Sequence, residues 1–241
     1  MKILVTNDDG IYSPGLACLA KVASKFGDVI VMAPDVEQSS MGQAITSGRP
    51  ISYKTSPIQF EGMEAYRVNG TPADCVALGT YLFENIDLVV SGVNIGSNLG
   101  NSAWHSGTLS AARQAVLFGI RGIAFSVSVG ETETDFDALS PYVGDAFKEV
   151  VDKDEQELLN INFPRNPNGE ITWTSLSVRH YDGKMVANKD PMGRQHYWFT
   201  VVPIEAEDED SDRWAIKHEK TSITPLILDL TDKEYLSKMK S

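Results

Sequence analysis

The first half of the chain alternates short apolar runs with stretches whose apolar residues recur at helical spacing. Residues 3–6 form a strand-like run that stops at Asn7-Asp8-Asp9-Gly10. After Pro14-Gly15, the residues Leu16, Leu19, Ala20, Ala23 and Phe26 fall on one side of a helix. Residues 29–33 predict a second strand, closed by Pro34-Asp35. Thr71 has the chemistry of an N-cap, with Pro72 at the first helical position and residues 75–82 as the helix body. Residues 87–91 predict a strand running into a loop rich in Gly and Asn, followed by a helix over 108–118 and a strand over 123–127. Apolar strands joined through helices imply a parallel sheet buried on both faces. Ligands of such sheets bind beyond the carboxyl ends of the strands, which is where the polar residues cluster here.

Beyond Glu131 the pattern changes. Residues 135–151 predict one more helix, and residues 158–163 a strand stopped by Pro164. Residues 171–178 and 196–202 alternate like strands with no helix between them, and read together as an antiparallel arm. Residues 205–212 hold six acids in eight positions, the composition of a solvated loop. Residues 222–230 predict a last strand, and Thr231 the cap of a short terminal helix.

Composition narrows the function classes. With 241 residues, 42% hydrophobic and 22% charged, the chain is a folded protein long enough for one large α/β core. Lys and Arg number 21 against 33 Asp and Glu, a formal charge of -12. That balance opposes binding to duplex nucleic acid or anionic membranes, which relies on clustered positive charge. An acidic protein that binds phosphate needs a metal or backbone amides at the site. No apolar run approaches the ~18 residues of a membrane span, and MKILVTNDDG lacks the apolar core of a signal peptide, so the expected location is cytoplasmic. Cys18 and Cys75 lie in helix-like stretches and read as two half-buried thiols, with a disulfide or zinc site the alternative.

Four polar clusters carry candidate chemistry. Asp8 and Asp9 would point to opposite faces of a strand, and meet one ligand only if the backbone turns, which Gly10 permits. Asp-Asp-Gly also serves as plain turn and cap chemistry; two carboxylates at one site repel unless a cation offsets them. Gln38-Ser39-Ser40-Met41-Gly42 is either ordinary loop or the source of a hydroxyl oxygen for a metal or phosphate. Residues 91–101 repeat Gly every fourth position with Asn between, matching neither the dinucleotide nor the P-loop pattern. Such a segment is a glycine-rich turn, or it brings amides to an anion while Asn offers neutral donors or a carbonyl ligand. In Trp104-His105-Ser106-Gly107-Thr108, Ser106 and Thr108 serve either as N-caps or in a phosphate cradle at the helix N-terminus. No zinc-ligand spacing, nucleophile elbow or HExxH occurs. Carboxylates, hydroxyls and an Asn carbonyl form a hard-oxygen set suited to Mg²⁺ or Mn²⁺.

In their order along the chain, NDDG, APD-x-x-x-S ending at Ser39, SGVNIGSN and HSGT resemble the SurE (survival protein E) family of metal-dependent phosphatases, as do GTPAD at 70–74 and SITP at 222–225. The resemblance runs over nearly the full length, although residues 129–155 match no motif. It implies hydrolysis of nucleoside 5′- and 3′-monophosphates, sometimes of short polyphosphate, with one divalent metal per subunit. It implies metal ligands at Asp8, Asp9, Ser39 and Asn94, with Ser40 the neighbouring hydroxyl, and Asn98, Ser106, Gly107 and Thr108 around the phosphate. The implied fold is a Rossmann-like, mostly parallel sheet flanked by helices over residues 1–165. A β-rich oligomerisation arm, returning strand and terminal helix follow over 166–241, exchanged between subunits of a homodimer or homotetramer.

Water attack at phosphorus, with Asp8 and Asp9 holding the metal, is the favoured chemistry. Proton abstraction or direct attack by either Asp stays open, though the Asp-x-Asp of haloacid-dehalogenase phosphatases is missing. A non-catalytic nucleotide-binding stress module would share the sheet and the Gly-rich loops, but has little use for paired carboxylates beside a phosphate. A metal-dependent deacetylase on a similar sheet usually places His near its Asp pair, and none is near in this sequence.

Overall fold

A computed structural model of the chain describes residues 1–153, 157–177, 183–201 and 208–240. The predicted elements β1 (Lys2–Thr6), α1 (Pro14–Ala23), β2 (Asp28–Pro34) and α2 (Pro72–Leu82) form close to their expected limits, whereas β5 (Leu88–Ile95) runs four residues past its expected end at 91. Between β2 and α2 the chain adds β3 (Tyr53–Thr55) and β4 (Glu64–Val68), short strands that the apolar pattern did not reveal. Then follow α3 (Gly107–Leu117), β6 (Arg121–Val127), α4 (Phe136–Val151) and β7 (Leu158–Phe163). The C-terminal region holds β8 (Ile171–Trp173), β9 (Gly183–Lys189), β10 (Gln195–Val201), α5 (Asp212–Lys217), β11 (Thr221–Leu226) and α6 (Lys233–Lys240).

Nine strands form one sheet in the order β3-β4-β2-β1-β5-β6-β7-β11-β8. All neighbours are parallel except the β3–β4 and β7–β11 pairs. Burial on both faces follows from alternation. Ile3 and Val5 of β1 pack with Leu16 and Leu19 of α1 and Val143 and Phe147 of α4. Leu4 packs on the other face with Cys75 and Val76 of α2 and Ala111 and Ala115 of α3. Cys18 and Cys75 belong to these two separate clusters, and both are free and buried.

Four expectations for the later chain need correction. Residues 171–173 do not pair with 195–201. They lie parallel to β11 at the edge of the main sheet, and the antiparallel partner of β10 is β9; residues 178–182 and 202 lie outside the described residues. The acidic run is not wholly a solvated loop. Asp212 is fully buried, where its Oδ2 accepts from the Gly100 amide at 2.7 Å and its Oδ1 from the Ser177 amide at 3.0 Å. The last strand stops at Leu226, short of the predicted 230. Before α6 it is Asp232, not Thr231, whose carboxylate accepts from the first-turn amide of Tyr235, at 2.8 Å. A carboxylate is the better acceptor beside the positive helix end.

The N-cap prediction at α2 holds in full. Thr71 accepts from the Asp74 amide at 3.1 Å, and Asp74 accepts in return from the Thr71 amide at 2.8 Å. The same carboxylate accepts from the Thr46 amide at 2.9 Å, which pins the long β2–β3 connection to the helix. Burial works to raise the Asp74 pKa, but the Thr46 and Thr71 hydrogen bonds outweigh it and hold the group below 3.8. A lowered carboxylate pKa stabilises the fold at neutral pH and loses that contribution on acidification. Asp74→Ala is therefore expected to cost about 2 kcal/mol, roughly 4–8 °C in Tm at pH 7. In pH-resolved melts the difference from wild type should shrink as the pH falls below 3.8.

Candidate active site

The chain leaves β1 toward β2 and β4 on one side, then returns to β5 on the other. The switch point therefore lies between β1 and β5, and the site is built there. Asn7 makes the turn after β1: its side chain accepts from the Gly10 amide at 3.1 Å and donates to the Gly10 carbonyl at 3.0 Å. Gly10 adopts φ +93°, a region that excludes most side chains. This locked turn presents two consecutive carboxylates at one sheet end, which a continuing strand could not do.

Asp8 is only 4% exposed. Its Oδ1 accepts from the Thr108 hydroxyl at 2.7 Å, and its carbonyl accepts from the Gln38 amide at 2.7 Å. It lies against the N-terminus of α3, where a Cβ on Gly107 would sit 2.8 Å from Asp8 Cβ and Oδ2. Glycine at that position is thus what lets the carboxylate meet the positive end of the helix. Asp9 is half-buried and accepts from the Ile95 amide at 3.2 Å, so it stands beside Asn94 at the end of β5. That strand runs on through Gly92, Val93 and Asn94 where a loop was expected, with its register against β6 shifting between Ser91 and Asn94.

The remaining candidate residues are placed as follows. Asn94 is buried; its Nδ2 donates to the Gly96 carbonyl at 2.6 Å, and among the described residues no donor is bonded to its Oδ1. Ser39 is exposed on the loop whose Gln38 amide bonds Asp8, and its hydroxyl donates to Glu37 at 2.7 Å. Ser106 caps α3 by accepting from the Leu109 amide at 3.0 Å. Asn98 donates through Nδ2 to Ser126 Oγ at 2.8 Å and Thr108 Oγ1 at 3.3 Å, so both its amide protons are committed inside the protein. The structure thus joins Asp8, Gly107, Thr108 and Asn98 directly, sets Asp9 beside Asn94, and links Ser39 to the group through its own loop.

Four participants escaped the sequence reading. Glu37 raises the pKa of both aspartates through its charge. Ser126 takes the second proton of Asn98. Asn160 and Asn162 grip the Asn98 backbone. A usable signal was present for the last two: in the strand Leu-Asn-Ile-Asn-Phe every second position is an amide where a sheet covered on both faces calls for apolar residues.

Both carboxylates are held above their ordinary pKa. Desolvation raises the Asp8 pKa, against the opposing hydrogen bond from Thr108. Desolvation, then the charge of Asp8, raises that of Asp9 from 3.8 to about 7. A hard cation is the group that removes this penalty. Among the described residues no group of three or more His, Cys, Asp and Glu side chains is placed to hold a metal. The fitting donors are instead mixed oxygens: two carboxylates and the Asn94 Oδ1, with the Ser39 hydroxyl on the adjoining loop.

Fold and site together define a doubly wound α/β protein with an acidic, oxygen-rich site at its switch point. The sequence pattern described as Survival protein SurE matches residues 3–183, and the chain belongs to the SurE family. It is 41% identical over 242 residues to 5′-nucleotidase SurE 1 of Thermus thermophilus, spanning 99% of this chain and 96% of that one. It is 41% identical over 245 residues to 5′-nucleotidase SurE of Deinococcus radiodurans, spanning 99% and 91%. The crystal structure of the SurE protein from Aquifex aeolicus matches with a TM-score of 0.83 at 33% identity, over 100% of this chain and 98% of that one.

A carboxylate pKa raised by folding favours the fold at low pH, and that contribution is lost as the pH climbs from 3.8 toward 7. In chelator-treated protein, Asp9→Asn should therefore melt above wild type at pH 8, with the gap closing by pH 4. Equal melting temperatures at pH 8 would mean that the carboxylate pair imposes no strain.

Proposed function

We propose that the chain is a phosphomonoesterase that hydrolyses nucleoside 5′- and 3′-monophosphates to nucleoside and phosphate, using one Mg²⁺ or Mn²⁺ per subunit. The observation that carries this reading is Asp8 seated against the N-terminus of α3 with Asp9 beside it. That arrangement sets a cation site next to an anion site, and a phosphate ester needs both. The names of the Thermus and Deinococcus relatives support the nucleotide as substrate. Short polyphosphate presents the same terminal phosphoryl group and would fit the same place.

In this reading Asp8, Asp9, Asn94 and Ser39 would hold the cation, which when bound polarises the phosphoryl oxygens and offsets the charge of the site. Ser106 accepts from Leu109 and so keeps its own proton for a phosphate oxygen, alongside the Gly107 amide. Thr108 orients Asp8 through its hydroxyl, and Asn98 orients Thr108. Asp9, the more exposed of the two carboxylates, accepts the proton of an attacking water. A non-catalytic nucleotide-binding module gains nothing from a carboxylate pair at the phosphate end, and among the described residues no cluster of His and Asp of the kind a deacetylase uses is placed to hold a metal.

The partner we propose is a second copy of the chain, reached through an arm within residues 166–241. The β9–β10 ribbon exposes apolar side chains on both faces: Tyr197 is 62%, Trp198 64% and Met185 60% exposed. A two-stranded hairpin is marginal in water on its own, and a surface this apolar marks an interface. Among the described residues no helix is long and apolar enough to cross a membrane.

Phosphate release from a panel of nucleoside monophosphates, with and without chelator, tests the activity. Release should vanish with chelator and return with Mn²⁺, and Asp8→Asn should lower turnover by on the order of 100-fold or more. Full turnover in chelator would remove the cation from the account. Asn94→Asp should keep or tighten Mn²⁺ dependence while raising KM, because it adds a negative charge near the phosphate. For the arm, Tyr197→Lys combined with Trp198→Glu should shift the wild-type oligomer to monomer in light scattering; an unchanged mass would place the interface elsewhere.

A further inference from the structure

We propose that Asn160 and Asn162 are positioning residues for the reaction, clamping the backbone of Asn98 so that its side chain aims the Thr108 hydroxyl at Asp8. The inference rests on the phosphatase reading above and adds two residues that touch neither phosphate nor cation.

Both asparagines are fully buried on β7, a strand whose other side chains, Leu159, Ile161 and Phe163, belong to the core. Asn162 Oδ1 accepts from the Asn98 amide at 2.8 Å, and Asn162 Nδ2 donates to the Asn98 carbonyl at 3.3 Å. Asn160 Nδ2 donates to the same carbonyl at 2.8 Å. Among the described residues nothing hydrogen-bonds the buried Asn160 Oδ1, a penalty that an apolar residue would avoid. The pair satisfies the buried Asn98 backbone at the cost of that orphaned oxygen, so its whole effect falls on one position of the loop before α3.

What the pair achieves is a fixed Asn98. With its backbone held on the donor and the acceptor side, the Asn98 side chain delivers one proton to Ser126 and the other to Thr108. A hydroxyl oxygen that accepts from one neighbour turns its own proton to another, and here that neighbour is Asp8 Oδ1 at 2.7 Å. Thr108 itself is anchored in the first turn of α3. The series Asn162/Asn160, Asn98, Thr108, Asp8 thus leads from the middle of β7 to the carboxylate that the chemistry needs. It holds Asp8 Oδ1 in a fixed position at the N-terminus of α3. Chains of this kind are cooperative, since each bond polarises and orients the next.

A merely structural role is separated from positioning by a double-mutant cycle between Asn162 and Asn98. Full-length wild type, Asn162→Ala, Asn98→Ala and the double variant are compared for AMP hydrolysis with saturating Mn²⁺, and for urea unfolding. Positioning predicts that Asn162→Ala lowers kcat by about 10-fold or more with little change in KM. In the Asn98→Ala background the same substitution should leave kcat nearly unchanged, because no side chain remains to aim. The fall in the urea midpoint should be similar in both backgrounds, since the backbone bonds broken are the same. Unchanged kcat in folded Asn162→Ala, or kcat losses that multiply across the cycle, overturns the proposal. Should Asn162→Ala fail to fold, the cycle runs with Asn160→Ala, which leaves both Asn162 bonds in place and is held to the same two criteria. Wild-type protein that releases no phosphate at all would instead overturn the functional reading, and the positioning role with it.

Discussion

The desolvation of Asp8 and Asp9, set side by side at the end of a central strand, organises the surrounding structure, and the charge of Asp8 adds to it at Asp9. Adjacent strand residues would normally diverge, so the pair exists only because Asn7 and Gly10 lock a turn at that point. Once formed, the pair has to be offset. The N-terminus of α3 approaches Asp8 closely enough that only glycine fits at 107, and Thr108 donates to it directly. Those contacts oppose the desolvation of Asp8 without cancelling it, and Asp9 has one amide donor. A site that stays electrostatically unfavourable after its own protein contacts are made supports the cation we propose there.

The fold supplies the rigidity for this. The winding from β1 out to β4 and back to β5 opens the crevice in which the loops after β1, β2 and β5 meet. The segment between β5 and α3 would be mobile on glycine content alone, yet it is tied at two backbone positions. Asn98 is held from β7, and Gly100 is held by Asp212 at the start of α5. The second tie reaches into the C-terminal region, where Ser177 shares the same carboxylate. The root of the apolar ribbon and the active-site loop are therefore anchored on one buried acid.

Much of this was legible in the residues. Apolar periodicity located the core helices and strands, and the Thr71-Pro72 signal fixed the start of α2, because each of these features is decided locally. The switch-point rule placed Asp8 and Asp9 before any contact was known. What escaped was decided by tertiary pairing. Strands β3 and β4 are short, and β3 is exposed, so no periodicity betrays them. Residues 171–173 alternate like any strand, and nothing local selects β11 over β10 as the neighbour. Asp212 reads as one acid among six because the amide partners that bury it, Gly100 and Ser177, are 112 and 35 residues away. Ser106 and Thr108 were equally open to capping and to ligand chemistry. Only the geometry separates them, with Ser106 on the Leu109 amide and Thr108 on Asp8.

The central claim is that the carboxylate pair is built for one divalent cation. Calorimetric titration of chelator-treated protein with Mn²⁺ at neutral pH tests it without reference to any substrate. The account predicts one site per chain, lost or strongly weakened in both Asp8→Asn and Asp9→Asn. Absence of binding in the wild type, or a site of undiminished affinity in both variants, would contradict it.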